Sequence, residues 1–273
     1  MKRQIIDIVL TLLFISTSFT VYSQVKDSQD DDRTIKIPVV FHVIYSGKIY
    51  ESNDKSPHTT DNISDQFIKN ELNDLNLAFL AKNDMSEIDS TFKSIVGNPN
   101  IEFQLADTVF QQDGHKGVIR VFSPENNKDL VSKSKLIDTE NYLNVYIGND
   151  GNATNIDGKM VKLNFRDIGL GTHVLTHETG HWLGLYHIWG KTGSCNRFIA
   201  LFKRDDGIDD TPPQKKCSDL SRTSCPPKNR AVKKGAKSNY NNFMDYSACR
   251  CMFTEKQAIK MRNNIIIKRP NLF

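Results

Sequence analysis

Histidines four residues apart, with a glutamate directly after the first, stand in Thr176-His177-Glu178-Thr179-Gly180-His181, and Trp182-Leu183-Gly184-Leu185-Tyr186-His187 follows. On a helix, residues i and i+4 share a face, so His177 and His181 present two imidazole nitrogens to one ion. Glu178 adjoins the first ligand and can reach a metal-bound water rather than the metal. Gly184 permits the left-handed conformation that ends a helix sharply. The chain can then turn and bring His187 back as a third ligand. Three protein ligands with one open tetrahedral position is the catalytic arrangement of zinc, whereas structural zinc is closed by four. Such a site hydrolyses acyl bonds, with the metal acidifying water and Glu178 moving its proton.

With this composition, His-Glu-x-x-His arises by chance in about one in 200 chains, and adding Gly184 and His187 lowers that to about one in 100,000. Histidines merely satisfied on a helix surface therefore explain the stretch poorly. His173 also lies four residues before His177, but no glutamate follows it, so His177 and His181 are the preferred pair. His42, His58 and His115 stand alone and read as structural or solvated residues.

The elements that must hold this stretch can be read from periodicity. Ile35 to Tyr45 (IKIPVVFHVIY) is rich in β-branched and aromatic residues and reads as a buried strand. Ser64 can cap a helix running to about Leu80, with Ile68, Leu72, Leu75 and Phe79 as its apolar stripe. Ile101 to Leu105, Val118 to Phe122 and Tyr142 to Ile147 read as further strands, and Met160 to Phe165 as a short edge strand. A helix is expected from about Gly171 to Leu183, and a closing helix from Thr254 to Ile267. Residues 190–241 are rich in Lys, Pro, Ser and Asp with little periodicity, and a stretch of that length inside a domain needs staples.

Composition narrows the class. The 273 residues, 38% hydrophobic and 25% charged, suit one large globular domain and exclude a disordered, collagen-like or multi-span membrane chain. The net charge of +4 is too weak to argue for nucleic acid. Lys2 and Arg3 precede an apolar run from Ile5 to about Phe19, and Val21-Tyr22-Ser23 supplies small residues before Gln24. That is the layout of a signal peptide over residues 1–23, and it predicts export with no stable membrane insertion afterwards. Residues 24–34 are polar and acidic and read as a linker or short pro-segment. Five cysteines (Cys195, Cys217, Cys225, Cys249 and Cys251) all fall in the final third. In an exported chain they read as two bridges with one cysteine left over.

His177 to His187 resembles the long zinc-binding consensus of the metzincin clan of metallopeptidases. More narrowly, His181-Trp182-Leu183-Gly184-Leu185-Tyr186-His187-Ile188-Trp189 looks like the pappalysin family, including its cytophagalysin-like and ulilysin-like members. Three other segments are similar to that family: Ile37 to Tyr45 as its opening strand, Asp210-Thr211-Pro212-Pro213-Gln214 after the zinc helix, and Asn242-Phe243-Met244-Asp245-Tyr246-Ser247 as its Met-turn. The resemblance covers the chain from Ile35 onward. It implies an α+β metzincin-like domain over 35–273, in which a twisted mixed sheet and a long zinc helix form an upper subdomain (about 35–184). An irregular, disulfide-stapled lower subdomain (about 185–273) completes it.

The resemblance further implies that Met244 floors the three-histidine site and that Tyr246 ligates zinc or bonds a tetrahedral oxyanion. Its cysteine order implies bridges Cys195–Cys225 and Cys217–Cys249, with Cys251 free. Related peptidases bind Ca²⁺ near Asp205, Asp206, Asp209 and Asp210, which makes those residues candidate calcium ligands. An extended peptide substrate would add to the sheet within Met160 to Phe165. The lead before Ile35 has no cysteine, so a cysteine switch is excluded; one of Asp27, Asp30, Asp31 or Asp32 could block zinc instead. The function expected is a secreted zinc metalloendopeptidase with Glu178 as general base. The alternative is a non-catalytic binding protein on the same fold, which the presence of Glu178 and all three histidines disfavours.

Overall fold

The computed structural model describes residues 32–53, 55–107, 116–124, 129–149, 154–156, 158–191, 195, 205–214, 217–218, 225–227 and 237–272. The expected signal peptide, Asp27, Asp30, Asp31 and His115 lie outside the described residues.

The first strand, β1 (Ile35–Tyr45), is the axis of the sheet and matches the apolar run read from the sequence. It is followed by helix α1 (Asp65–Phe79), the two-residue β2 (Val96–Gly97), β3 (Ile101–Leu105) and β4 (Val118–Phe122). β3 and β4 pair in succession along one side of β1, β3 with Ile35 to Val39 and β4 with Phe41 to Tyr45, both parallel. The short helix α2 (Leu130–Lys133), β5 (Leu143–Gly148), β6 (Thr154–Ile156) and β7 (Met160–Asn164) complete this half. β5 pairs parallel with the other side of β1 and with β7, and β6 is the one antiparallel member, on β7. The edge on this side is therefore β6 and not Met160 to Phe165, which β5 and β6 flank. Three residues are too few to display an alternating pattern, so β6 was invisible in the sequence.

Alternation along β1 decides what each face meets. Ile35, Ile37, Val39, Phe41 and Val43 enter the main core, together with Ile68, Leu75 and Phe79 of α1. Leu72 is only half-buried, and Glu71 takes an inward position that the apolar pattern did not assign. Asn76 of α1 bonds both main-chain groups of Phe103 on the outer strand β3 (2.9 and 2.7 Å). This side chain covers part of an edge that would otherwise remain open to pairing.

The opposite face holds Ile44, Tyr146, Met160 and Leu130 of α2, with His42 among them. His42 stacks on Tyr146 with ring centroids 4.2 Å apart. Its Nε2 lies 3.0 Å from Asn144 Oδ1 and its Nδ1 2.7 Å from Ser134 Oγ. Asn144 Oδ1 is an acceptor, so Nε2 carries the proton and Ser134 donates to Nδ1. Burial pushes the imidazole down to about 4. The folded state therefore resists a proton that the unfolded chain accepts near 6.5, and stability falls as pH drops from about 6.5 to 4. A displacement of that size corresponds to about 3 kcal/mol. Urea unfolding at pH 7 and pH 4.5 should show this loss in the wild-type chain, and a smaller loss by about that amount in His42→Gln. An equal pH response in both proteins would remove His42 as its source.

The second half of the chain is stapled, as its irregular sequence requires, but with partners exchanged. The bridges are Cys195–Cys217 and Cys225–Cys249, and Cys251 is a free buried thiol. Cys217 belongs to the main core and Cys195 packs against it, whereas Cys249 lies outside that cluster and Cys225 is exposed. Each bridge thus joins neighbours in sequence, 22 and 24 residues apart. The remaining elements are β8 (Phe253–Thr254), antiparallel to β2, and a closing helix (Glu255–Lys268), numbered α4 because α3 (Val174–Trp182) precedes it in the chain. Thr254 and Gln257 form a reciprocal capping box at its start. Among the described residues no helix is long and apolar enough to cross a membrane.

Candidate metal centre

Helix α3 (Val174–Trp182) carries the motif. It has nine residues and is shorter than the stretch read from Gly171 to Leu183. Gly169, Gly171 and His173 all adopt positive φ (70°, 65° and 54°), which keeps the chain out of the helical region until Val174. The other end closes at Gly184 (φ 91°). There the amide of Gly184 bonds the His181 carbonyl and that of Leu185 the Gly180 carbonyl, each at 2.9 Å. This double bond pattern is the Schellman stop that the glycine foreshadowed. α3 packs on β7 and β6, so the motif faces the antiparallel edge of the sheet.

The stop also sets the second ligand. His181 Nδ1 donates to the Leu185 carbonyl (2.8 Å), and His177 Nδ1 to the Phe243 carbonyl (2.7 Å). Both rings therefore turn a bare Nε2 inward. His177 Nε2 is buried and has no hydrogen-bond partner. His181 Nε2 and His187 Nε2 lie 3.2 Å apart, and ligand atoms of all three histidines fall within 4.8 Å of one another. Lone pairs crowded this closely are relieved by a shared cation. Burial, aided by the neighbouring imidazoles, pushes His177 well below its usual range, and burial lowers His181 as well. Neutral imidazoles with free Nε2 lone pairs are what a zinc ion requires. The donor set fits.

Around the triad, Tyr246 Oη stands 3.0 Å from His187 Nε2, and Trp189 stacks on the His187 ring at 4.4 Å. Glu178 is 7% exposed on α3, directly after His177. Met244 is fully buried beneath the helix, and a Cβ on Gly180 would stand 2.5 Å from its sulfur. Gly180 is thus the residue that lets the Met-turn approach. Asp245 fixes the same turn from below: it accepts from the Ser218 amide (3.0 Å), the Ser218 hydroxyl and the Tyr246 amide (2.7 Å). Arg250 spans from the Asp245 carbonyl to that of Thr172 (2.8 Å), tying the turn to the entry of α3. Sequence reasoning did not assign Arg250 or Asp245; their neighbours in the Met-turn segment were the available signal.

Other sequence candidates fall elsewhere. His173 precedes α3 in the left-handed region, packs on Phe243 and does not join the triad. His58 Nε2 bonds the Ile168 carbonyl (2.8 Å) and is structural, as is His42. The four aspartates proposed for calcium do not converge. Asp209 pairs with Lys256 (2.7 Å), and Asp210 accepts from Thr254 Oγ1 (2.7 Å) and the Lys256 amide (2.8 Å), extending the cap of α4. Asp206 is buried and holds Thr211 Oγ1 (2.7 Å), while Asp205 bonds the Gly207 amide (3.0 Å). Among the described residues, His177, His181 and His187 are the one group of three or more His, Cys, Asp or Glu side chains placed to share an ion.

A family profile described as pregnancy-associated plasma protein-A, the M43 peptidases, matches residues 125–266, from before β5 to the closing helix. The chain belongs to the pappalysin family. This pappalysin is similar in structure to a promirolysin variant of Tannerella forsythia, with 26% identity and a TM-score of 0.65. That match covers 95% of this chain and 91% of the other. Mature mirolysin of the same organism, in complex with a cleaved peptide, has 29% identity and a TM-score of 0.59 over 84% and 90% of the two chains. Among curated relatives, an extracellular metalloprotease of Arthroderma otae is 39% identical over 88 residues. The matched stretch is 32% of the pappalysin and spans only 28% of that relative's length.

Proposed function

We propose that this pappalysin is a secreted zinc metalloendopeptidase. The observation that carries the reading is the convergence of the ring nitrogens of His177, His181 and His187, the first two on a short helix that also carries Glu178 and faces the sheet edge. His177, His181 and His187 would hold one zinc ion. A bound zinc would lower the pKa of water and polarise the scissile carbonyl. Glu178 accepts the proton of the attacking water and returns one to the departing amine. The Tyr246 hydroxyl, beside the third histidine, donates to the oxygen that gains charge in the tetrahedral transition state. Met244 and Trp189 keep the imidazoles at fixed angles, a packing role.

An extended peptide finds its main-chain partners on β6, the open antiparallel edge, which supplies affinity without selecting a sequence. The peptide held by mature mirolysin supports the same substrate class here. Export is supported by the curated relatives named extracellular metalloproteases. We assign residues 1–23 to a signal peptide, 24–34 to a short lead and 35–273 to the catalytic domain, divided near residue 184. We leave calcium out of the reading: Asp209 and Asp210 face Lys256 and Thr254 at the start of α4.

The test is cleavage of a peptide library with and without chelator. Hydrolysis that disappears on chelation and returns with zinc is the expected result. Cleavage that survives metal removal, or none in zinc-loaded protein, would refute the assignment.

A further inference from the structure

We propose that Arg269 is a positioning residue of this site. From the end of the closing helix it holds the turn of the β6–β7 hairpin against the end of α3, and so sets where the open edge stands relative to the zinc ligands. Arg269 follows α4 directly and is 5% exposed. Its guanidinium carbon lies 3.7 Å from the centroid of the Trp182 ring, and Trp182 is the last residue of α3, directly after His181. From there Nη2 donates to the Gly158 carbonyl at 2.8 Å. Gly158 belongs to the turn between the paired residues Ile156 and Met160. One side chain at the end of α4 thus touches both the catalytic helix and the edge hairpin.

Stability alone does not account for an arginine here. Its Nε and Nη1 are buried with no hydrogen-bond partner, and burial pushes the guanidinium down to about 10. A charged group in such surroundings costs free energy, and an apolar side chain would fill the space without that cost. What the guanidinium adds is a flat face for the indole and a donor at its rim, in one rigid group. Its base is fixed as well. The Arg269 amide bonds the Ile265 carbonyl (2.6 Å), its carbonyl accepts the Leu272 amide (3.0 Å), and Leu272 packs against the main core. The hairpin, by contrast, needs a hold. β6 has three residues and, among the described strands, pairs with β7 alone. A Cβ on Gly158 would meet nothing within 4 Å, so close packing does not wedge the turn on that side. A strand this short keeps its place through what fixes its ends.

The kinetic consequence rests on the peptidase reading, with β6 as the edge that pairs with an extended peptide; the structural consequence does not. Arg269→Met can cover the indole but loses the bond to Gly158, and Arg269→Gln is too short to lie over the indole and reach the turn. In each variant, hydrogen exchange of the amides that pair β6 with β7 should quicken about tenfold while exchange in β1 stays unchanged. Zinc content should also stay, because His181 is oriented by the Leu185 carbonyl and not through Trp182. In zinc-loaded protein, assayed well below its melting temperature, KM for an extended peptide should rise about tenfold with kcat held within about twofold, the pattern of lost uniform binding. If Arg269→Met does not fold, Arg269→Gln decides. Wild-type hairpin exchange in a folded variant would overturn the proposal. So would faster hairpin exchange with KM unchanged, or a fall in kcat accompanied by zinc loss, the sign of a merely loosened fold. Inactive wild-type protein with faster hairpin exchange in the variants would instead refute the peptidase reading and leave the hold of Arg269 standing.

Discussion

Replacing Glu178 by alanine should leave zinc stoichiometry and fold intact while peptide hydrolysis falls about 10²–10⁴-fold, the range for losing positioned acid–base catalysis. The metal should stay because His177 and His181 are oriented through the carbonyls of Phe243 and Leu185, and neither bond involves Glu178. Tyr246→Phe should be milder. It removes the hydroxyl beside His187 and keeps the ring that packs on Trp189. Metal analysis and initial rates measured together distinguish these roles, and full activity in Glu178→Ala would sink the mechanism.

His187→Ala should lose metal as well as activity. Loss of a hydrogen-bond partner of a ligand already costs 10–100-fold in metal affinity, so loss of the ligand itself should weaken zinc by more than about 100-fold. The expected sign of a lost ligand is activity that partly recovers at high zinc, which Glu178→Ala cannot show. The cavity left between Trp189 and Tyr246 will also lower stability, so the comparison belongs at a temperature where circular dichroism shows both proteins folded. Full zinc retention would contradict the three-histidine set.

Much of this site was readable before any coordinates. The i, i+4 spacing, the glycine stop and the third histidine are local, and local geometry follows from local sequence. β1 was equally plain, because eleven residues rich in β-branched and aromatic side chains leave little choice. What escaped was non-local or too short. β6 has three residues, so the open edge was assigned to Met160–Phe165. The bridge partners depend on which cysteines share the core, and spacing does not report that. The aspartates of 205–210 read as one cluster because sequence cannot show that Asp209 and Asp210 meet donors at the start of α4 while Asp205 and Asp206 bond within their own loop. Glu71 was hidden for the same reason: an acid on a helix reads as solvated until Gly169, 98 residues later, is folded against it and donates its amide.

The carbonyls that hold His177 and His181 have a consequence for how this centre tolerates change. Many metal-binding histidines lean on a carboxylate, which can be mutated away and which takes up a proton in acid. Here both supports are main chain, supplied by the stop after α3 and by the residue before Met244. Such an acceptor has no side chain to lose and no proton to gain. Exchange among apolar residues that still fill the core at 185 and 243 leaves unchanged which nitrogen faces the ion, provided the path of the chain is kept. Insertions or deletions at either turn are a different matter, since moving the carbonyl by one residue would rotate a ligand out of the site. Variation among relatives should therefore range over buried apolar residues and be strict in loop length at these two points.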